Sequence, residues 1–176
     1  VIRFKHCASP GLKERSLSNG DCELTLKLGV RVANFTAQGT GGPIDLSALE
    51  GAKLVLYFYP KDNTPGCTSE AGDFRDLHSD FEAAGATVLG VSRDSLKSHE
   101  GFRAKLALPF HLISDPDESL CQSFGVMKLK NMYGKQVRGI ERSTFLIDGS
   151  GRLVKEWRGV KVAGHVAEVL EAVRAL

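Results

Sequence analysis

No C-x-x-C pair occurs in this chain of 176 residues, whose four cysteines are Cys7, Cys22, Cys67 and Cys121. Four thiols in this length are too sparse for a disulfide scaffold, so a reducing compartment is expected, most simply a bacterial-type cytoplasm. A dominant charge is lacking too. The formal net charge of +2 argues against a nucleic-acid binder held by a large basic face. No apolar run has the length of a membrane span, and the longest, such as 54–59, are strand-sized. Residues 1–24 contain no apolar core of a secretory signal, and Glu14, Asp21 and Glu23 speak against a transit peptide. His6, His78, His99, His111 and His165 show no metal-ligand spacing, so no metal or other cofactor is expected.

What is present is an ordinary globular balance, 42% hydrophobic and 25% charged, enough for one domain with one core. Residues 1–24 are polar and aperiodic and read as a flexible N-terminal extension. Residues 25–176 read as the folded domain. Segment 32–48, with Gly39, Gly41, Gly42 and Pro43, predicts an N-terminal β-hairpin. The run 53–59 (KLVLYFY) is a buried central strand between Gly51 and Pro60. Ala71, Phe74, Leu77, Phe81 and Ala84 then recur at helical steps, and Gly85 stops them. A second buried strand is read at 86–92, a helix at 95–106 and a third strand at 110–114. A short helix follows, begun by Asp115 with Pro116 at its first position and ended at Gly125. Residues 126–141 read as polar and irregular. Segments 143–147 and 152–157 flank Asp148-Gly149-Ser150-Gly151, a hairpin signal. An amphipathic helix over 163–176 closes the chain. The early βαβ alternation implies parallel strands and the late hairpin adds antiparallel ones. The expected class is α/β, a thioredoxin-like fold with a central mixed β-sheet flanked by helices.

The chemistry concentrates between Tyr57 and Asp76. Cys67 lies where a buried strand ends, a short loop turns and a helix begins. Unpaired N–H groups and the positive end of the helix dipole favour a thiolate there. The thiolate is the nucleophilic form. Pro60 and Pro65 stiffen the loop, Pro60 shields one side of a pocket, and Gly66 permits close backbone approach. Glu70 follows one turn later.

Pro60, Thr64 and Cys67 form P-x-x-x-T-x-x-C, which resembles the active-site motif of peroxiredoxins, the AhpC/TSA superfamily. The longer string YFYPKDNTPGCTSEAGDF is similar to the bacterioferritin-comigratory, or Q-type, branch. The resemblance runs from about Leu28 to the C-terminus and includes LISDPDE at 112–118 and ERSTFLIDGSGRL at 141–153. It implies a peroxidase in which Cys67 attacks a hydroperoxide and becomes a sulfenic acid. Thr64 is then expected to donate to the thiolate and accept from the bound hydroperoxide. Arg142 stands at the position of the supporting arginine, with Glu70 orienting it. The implied partners are the hydroperoxide and an external reductant: thioredoxin, glutaredoxin or a low-molecular-weight thiol. A monomer or weak homodimer is implied.

The sequence departs from that pattern in its second thiol. Many Q-type members carry a resolving cysteine five residues after the first, where this chain has Gly72. Others carry it in the segment matching 101–104, where Arg103 stands at the expected place. One-cysteine behaviour is therefore expected, with Cys121 the remaining resolving candidate in the domain. The bland alternatives are a buried structural role for Cys67, helix capping by Thr64, a plain surface charge for Arg142, a first-turn acid in Glu70 and core packing for Cys121. Thiol–disulfide exchange without peroxide, or a redox switch without turnover, are the competing functions.

Overall fold

The structure, a computed structural model, describes residues 3–4 and 26–176. The extension read over 1–24, with Cys7 and Cys22, therefore lies outside the described residues, apart from Arg3 and Phe4. Those two form β1 (Arg3–Phe4), which pairs with β2 (Phe35–Gly39), so this part of the extension joins the sheet. β2 and β3 (Gly42–Asp45) make the expected N-terminal hairpin, and a 3-10 turn (Leu46–Leu49) leads to β4 (Lys53–Phe58). Then come α1 (Pro65–Asp76), α2 (His78–Ala83), β5 (Ala86–Ser92), α3 (Leu96–Leu106), β6 (His111–Ser114), α4 (Ser119–Ser123), β7 (Met127–Met132), β8 (Lys135–Ile140), β9 (Ser143–Ile147), β10 (Leu153–Arg158) and α5 (His165–Arg174).

β4, β5 and β6 run parallel, as the βαβ alternation requires, while β2 and β9 flank them antiparallel. The order β1-β2-β6-β5-β4-β9-β10, with β3 beside β2, is a mixed sheet with β4 near its centre. Alternate residues of β4 feed opposite faces. Leu54, Leu56 and Phe58 enter one core cluster with Leu120, Cys121 and Phe124. Val55, Tyr57 and Tyr59 enter the other, with Cys67, Phe74 and Phe81. Both faces are covered, which is why 53–59 reads as a continuous apolar run.

Three local expectations are corrected. The helix read from 71 to 84 is two helices. Leu77 leaves helical geometry at φ −100° and ψ 8°, and its carbonyl accepts from the amides of Asp80 and Phe81 to start the next helix. The apolar stripe runs through this break, so periodicity alone does not reveal it. The helix read from Asp115 begins at Ser119 instead. Glu118 takes a left-handed conformation, φ 60°, and separates Pro116 from the helix. Finally, 126–141 is not irregular: β7 and β8 form a hairpin off the main sheet. Tyr133 and Gly134 turn it with φ of 52° and 77°, the left-handed pair that matches strand twist. Leu129, Tyr133 and Val137 are exposed, so the hairpin has little buried face to impose a period.

Candidate active site

β4 delivers the chain to the site and α1 receives it. Thr64 is the N-cap of α1 and Pro65 its first residue, where a missing N–H removes no helical bond. Cys67 is the third helical residue and is 2% exposed. The Thr64 side chain does not cap the helix, so it leaves the first-turn amides free to face a ligand. Its hydroxyl donates instead to the Lys61 carbonyl at 2.9 Å. A hydroxyl has one proton, so the expected donation from Thr64 to the sulfur is not made in this geometry. The oxygen's lone pairs remain to accept from a ligand. The capping alternative for this side chain fails as well.

Arg142 arrives from the other side of β4. Phe58 pairs with Ser143 across β4 and β9, so the residue before β9 lies beside the loop after β4. The amide of Val160 donates to the Arg142 carbonyl at 3.0 Å and holds that backbone. The guanidinium then spans two partners: Nη2 donates to Cys67 Sγ at 3.3 Å and Nη1 donates to Glu70 Oε2. Gly66 makes room for this. A Cβ there would stand 3.2 Å from Arg142 Nη2 and 3.9 Å from Val162 Cγ2, so the close approach it allows is by the guanidinium. Pro60 is half-buried at the start of the loop. The structure thus brings Cys67, Arg142, Glu70 and Gly66 together, with Pro60 and Thr64 on the adjoining loop.

Charge is tightly managed here. Glu70 is fully buried, and burial pushes its carboxyl up to about 7 against the pull of Arg142. Arg142 is raised above its ordinary value: burial opposes its charge, but Glu70 and the Cys67 sulfur outweigh it. His165 accepts or donates at Thr144 Oγ1 over 2.8 Å, and burial lowers its imidazole to about 4, so it adds no second cation beside Arg142. Two polar atoms near this cluster are buried without a hydrogen-bond partner among the described residues, the Tyr57 hydroxyl and Glu70 Oε1. Burial first, then the charges of Glu70 and Cys67, holds the Tyr57 hydroxyl protonated well above its usual range. Gly90 admits this ring, since a Cβ there would lie 2.8 Å from the Tyr57 hydroxyl. Sequence reasoning missed Tyr57. Its signal was a tyrosine in a strand with no exposed face, where phenylalanine would meet the packing requirement alone.

Cys121 is on the opposite face of the sheet. Its amide donates to Asp115 Oδ2 at 2.7 Å and it is fully buried. Arg103, on α3, donates from Nε to the Phe110 carbonyl at 2.9 Å.

The sequence model described as the AhpC/TSA family matches residues 28–156. The chain is 58% identical over 135 residues to peroxiredoxin Bcp of Xanthomonas campestris pv. campestris, spanning 77% of this chain and 84% of that one. It is 49% identical over 152 residues to peroxiredoxin Bcp of Bacillus subtilis, spanning 86% and 97%. A solved structure of the Xanthomonas campestris bacterioferritin comigratory protein, described by its alkyl peroxide reduction activity, superposes with TM-score 0.78 at 52% identity, covering 86% of this chain and 97% of that one. Structures of Xanthomonas campestris peroxiredoxin Q include variants in which one or the other of two cysteines, thirty-six positions apart, is serine.

Proposed function

The chain belongs to the AhpC/TSA family and is a thiol-dependent peroxidase, and from that premise we propose that Cys67 is the peroxide-reducing sulfur, with Thr64 and Arg142 as its catalytic partners. The thiolate attacks the terminal oxygen of the hydroperoxide. The S–O bond forms as the O–O bond breaks, sulfur is oxidised to sulfenic acid, and the electron pair leaves on the other oxygen, which takes a proton to become water or alcohol. The single observation that carries this reading is Arg142 Nη2 at 3.3 Å from Cys67 Sγ, with Glu70 on the other arm of the guanidinium. That fork can stabilise the thiolate and then the charge that moves onto the departing oxygen. Thr64, its proton engaged by Lys61, accepts from the hydroperoxide. Glu70 orients Arg142, Gly66 gives it space, and Pro60 walls the pocket. Trapping with a sulfenic-acid reagent after one equivalent of peroxide tests the assignment: the adduct should map to Cys67, and an adduct elsewhere overturns it.

Hydrogen peroxide and organic hydroperoxides are the proposed substrates. One-cysteine turnover fits the geometry best. Cys67 and Cys121 project into cores on opposite faces of an intact sheet. The position thirty-six after Cys67 holds Arg103. The sulfenic acid would then be reduced by an external thiol, from thioredoxin, glutaredoxin or a small thiol. A stoichiometric Cys67–Cys121 disulfide in non-reducing mass analysis would refute this. We further assign the activity to a 25–176 domain acting in the cytoplasm as a monomer or weak homodimer.

A further inference from the structure

Beneath the loop from β4 to α1 lies a buried polar cluster that the chemistry above does not use. The Asp62 carboxylate accepts from the Tyr59 hydroxyl at 2.8 Å and from Ser98 Oγ at 2.7 Å, and it faces His99 Nδ1 at 2.9 Å. On the far side of the ring, His99 Nε2 lies 3.1 Å from the Ile113 carbonyl. A carbonyl only accepts, so Nε2 carries a hydrogen. Nδ1 faces the Asp62 carboxylate, so the ring is held between two acceptors, with side-chain exposures of 0% and 2% for His99 and Asp62. Burial works against the Asp62 charge, but the hydrogen bonds from His99, Ser98 and Tyr59 outweigh it and hold the carboxyl below its ordinary range.

A buried polar cluster whose members are all hydrogen-bonded rigidifies its surroundings and specifies one geometry. Here the geometry is that of a single peptide. The peptide joining Lys61 to Asp62 donates its N–H to Asp94 Oδ2 at 2.9 Å, and Asp94 is held by Ser92 Oγ at 2.6 Å. The carbonyl of that same peptide takes the proton of Thr64 at 2.9 Å. The orientation of this one plane decides where the only proton of Thr64 points.

We propose that Asp62 and His99 are positioning residues for the peroxidase reaction: their buried contact locks the 61–62 peptide, which takes the Thr64 proton and leaves the Thr64 oxygen as an acceptor for the hydroperoxide. The inference rests on the assignment of Cys67 and Thr64 above.

The test is a double-mutant cycle read by the rate of Cys67 oxidation. Asp62→Asn should slow oxidation by hydrogen peroxide about tenfold or more. It should leave alkylation of Cys67 by iodoacetamide within about threefold, because alkylation does not call on Thr64. In a Thr64→Val background, Asp62→Asn should cost less than about twofold further, since its route to the peroxide is already gone. Equal losses in both backgrounds, or no loss in the wild-type background, overturn the proposal. Should Asp62→Asn fail to fold, Ser98→Ala and Tyr59→Phe enter the same cycle, each with a loss of roughly threefold confined to the Thr64 background. A wild-type Cys67 that does not oxidise would instead sink the underlying site assignment.

Discussion

Cys67 and Cys121 are each the third residue of a helix that follows a strand, each is almost fully buried, and they enter the cores on opposite faces of one sheet. Their surroundings differ in the sign of charge. Cys67 faces a guanidinium; the amide of Cys121 is tied to the Asp115 carboxylate. Burial first and Asp115 second push the Cys121 thiol far above its ordinary range. On the proposed assignment of Cys67, a helix start and a buried thiol are thus not enough to make a nucleophile. The dipole of a five-residue helix such as α4 is small, and a nearby anion opposes it. A cation within hydrogen-bond distance separates the two sites.

The comparison is broken most directly at the sulfur. Cys67→Ser should reduce peroxide consumption, in an assay with dithiothreitol as reductant, to that of the assay mixture alone. Turnover by that variant would move the chemistry to another thiol. Arg142→Ala comes next. If the guanidinium supplies the difference between the two cysteines, its loss should slow Cys67 oxidation by about 10²- to 10³-fold in stopped flow. A rate like the wild type's would remove Arg142 from the reaction.

Glu70 sharpens the comparison through pH. Its carboxyl titrates at about 7 in the fold against 4.5 for the ordinary group. The folded state therefore holds this proton more tightly than the unfolded chain does. Stability is greatest below pH 4.5 as far as this group is concerned, and it declines as pH rises, levelling off above about 7. The decline is on the order of 3 kcal/mol at most, from 1.36 kcal/mol per pKa unit. Glu70→Gln should flatten it, visible as a smaller difference in Tm between pH 5 and pH 8. Its effect on oxidation should also depend on pH. At pH 8, where the carboxylate anchors Arg142, the variant should be slower by roughly threefold to tenfold. At pH 6, where Glu70 is mostly protonated, the two proteins should converge. A constant ratio across this range would assign Glu70 to structure alone.

The sequence carried the Cys67 junction and the parallel core because each leaves a local or periodic mark. Residues 53–59 read as a two-faced strand because both faces are buried. Cys67 followed from the strand-loop-helix junction. Arg142 was another matter: seventy-five positions from Cys67, it came from resemblance, and the β4–β9 register supplies its physical reason. The proton of Thr64 was not legible, because the acceptor is a backbone carbonyl three residues back and a sequence does not orient a peptide. Nor was the Asp62–His99 contact, which spans thirty-seven positions and joins a loop to a helix. The β7–β8 hairpin left no alternation because so much of it is in solvent.

The smallest effects belong to the second cysteine, and they isolate burial from charge. Cys121→Ser should keep peroxide turnover within about twofold of wild type and cost roughly 1–2 kcal/mol in urea unfolding, by placing a hydroxyl in an apolar core. Asp115→Asn divides the two causes at this site. Asp115 accepts from the amides of Leu120 and Cys121 at 3.2 and 2.7 Å, so the variant loses part of that cap, about 1 kcal/mol. If burial is the larger cause, Cys121 should stay unreactive toward iodoacetamide under native conditions even with the anion removed. Rapid labelling of Cys121 in folded Asp115→Asn protein would mean that charge alone silences this thiol. The contrast with Cys67 would then reduce to the one pair of neighbours, Arg142 and Asp115.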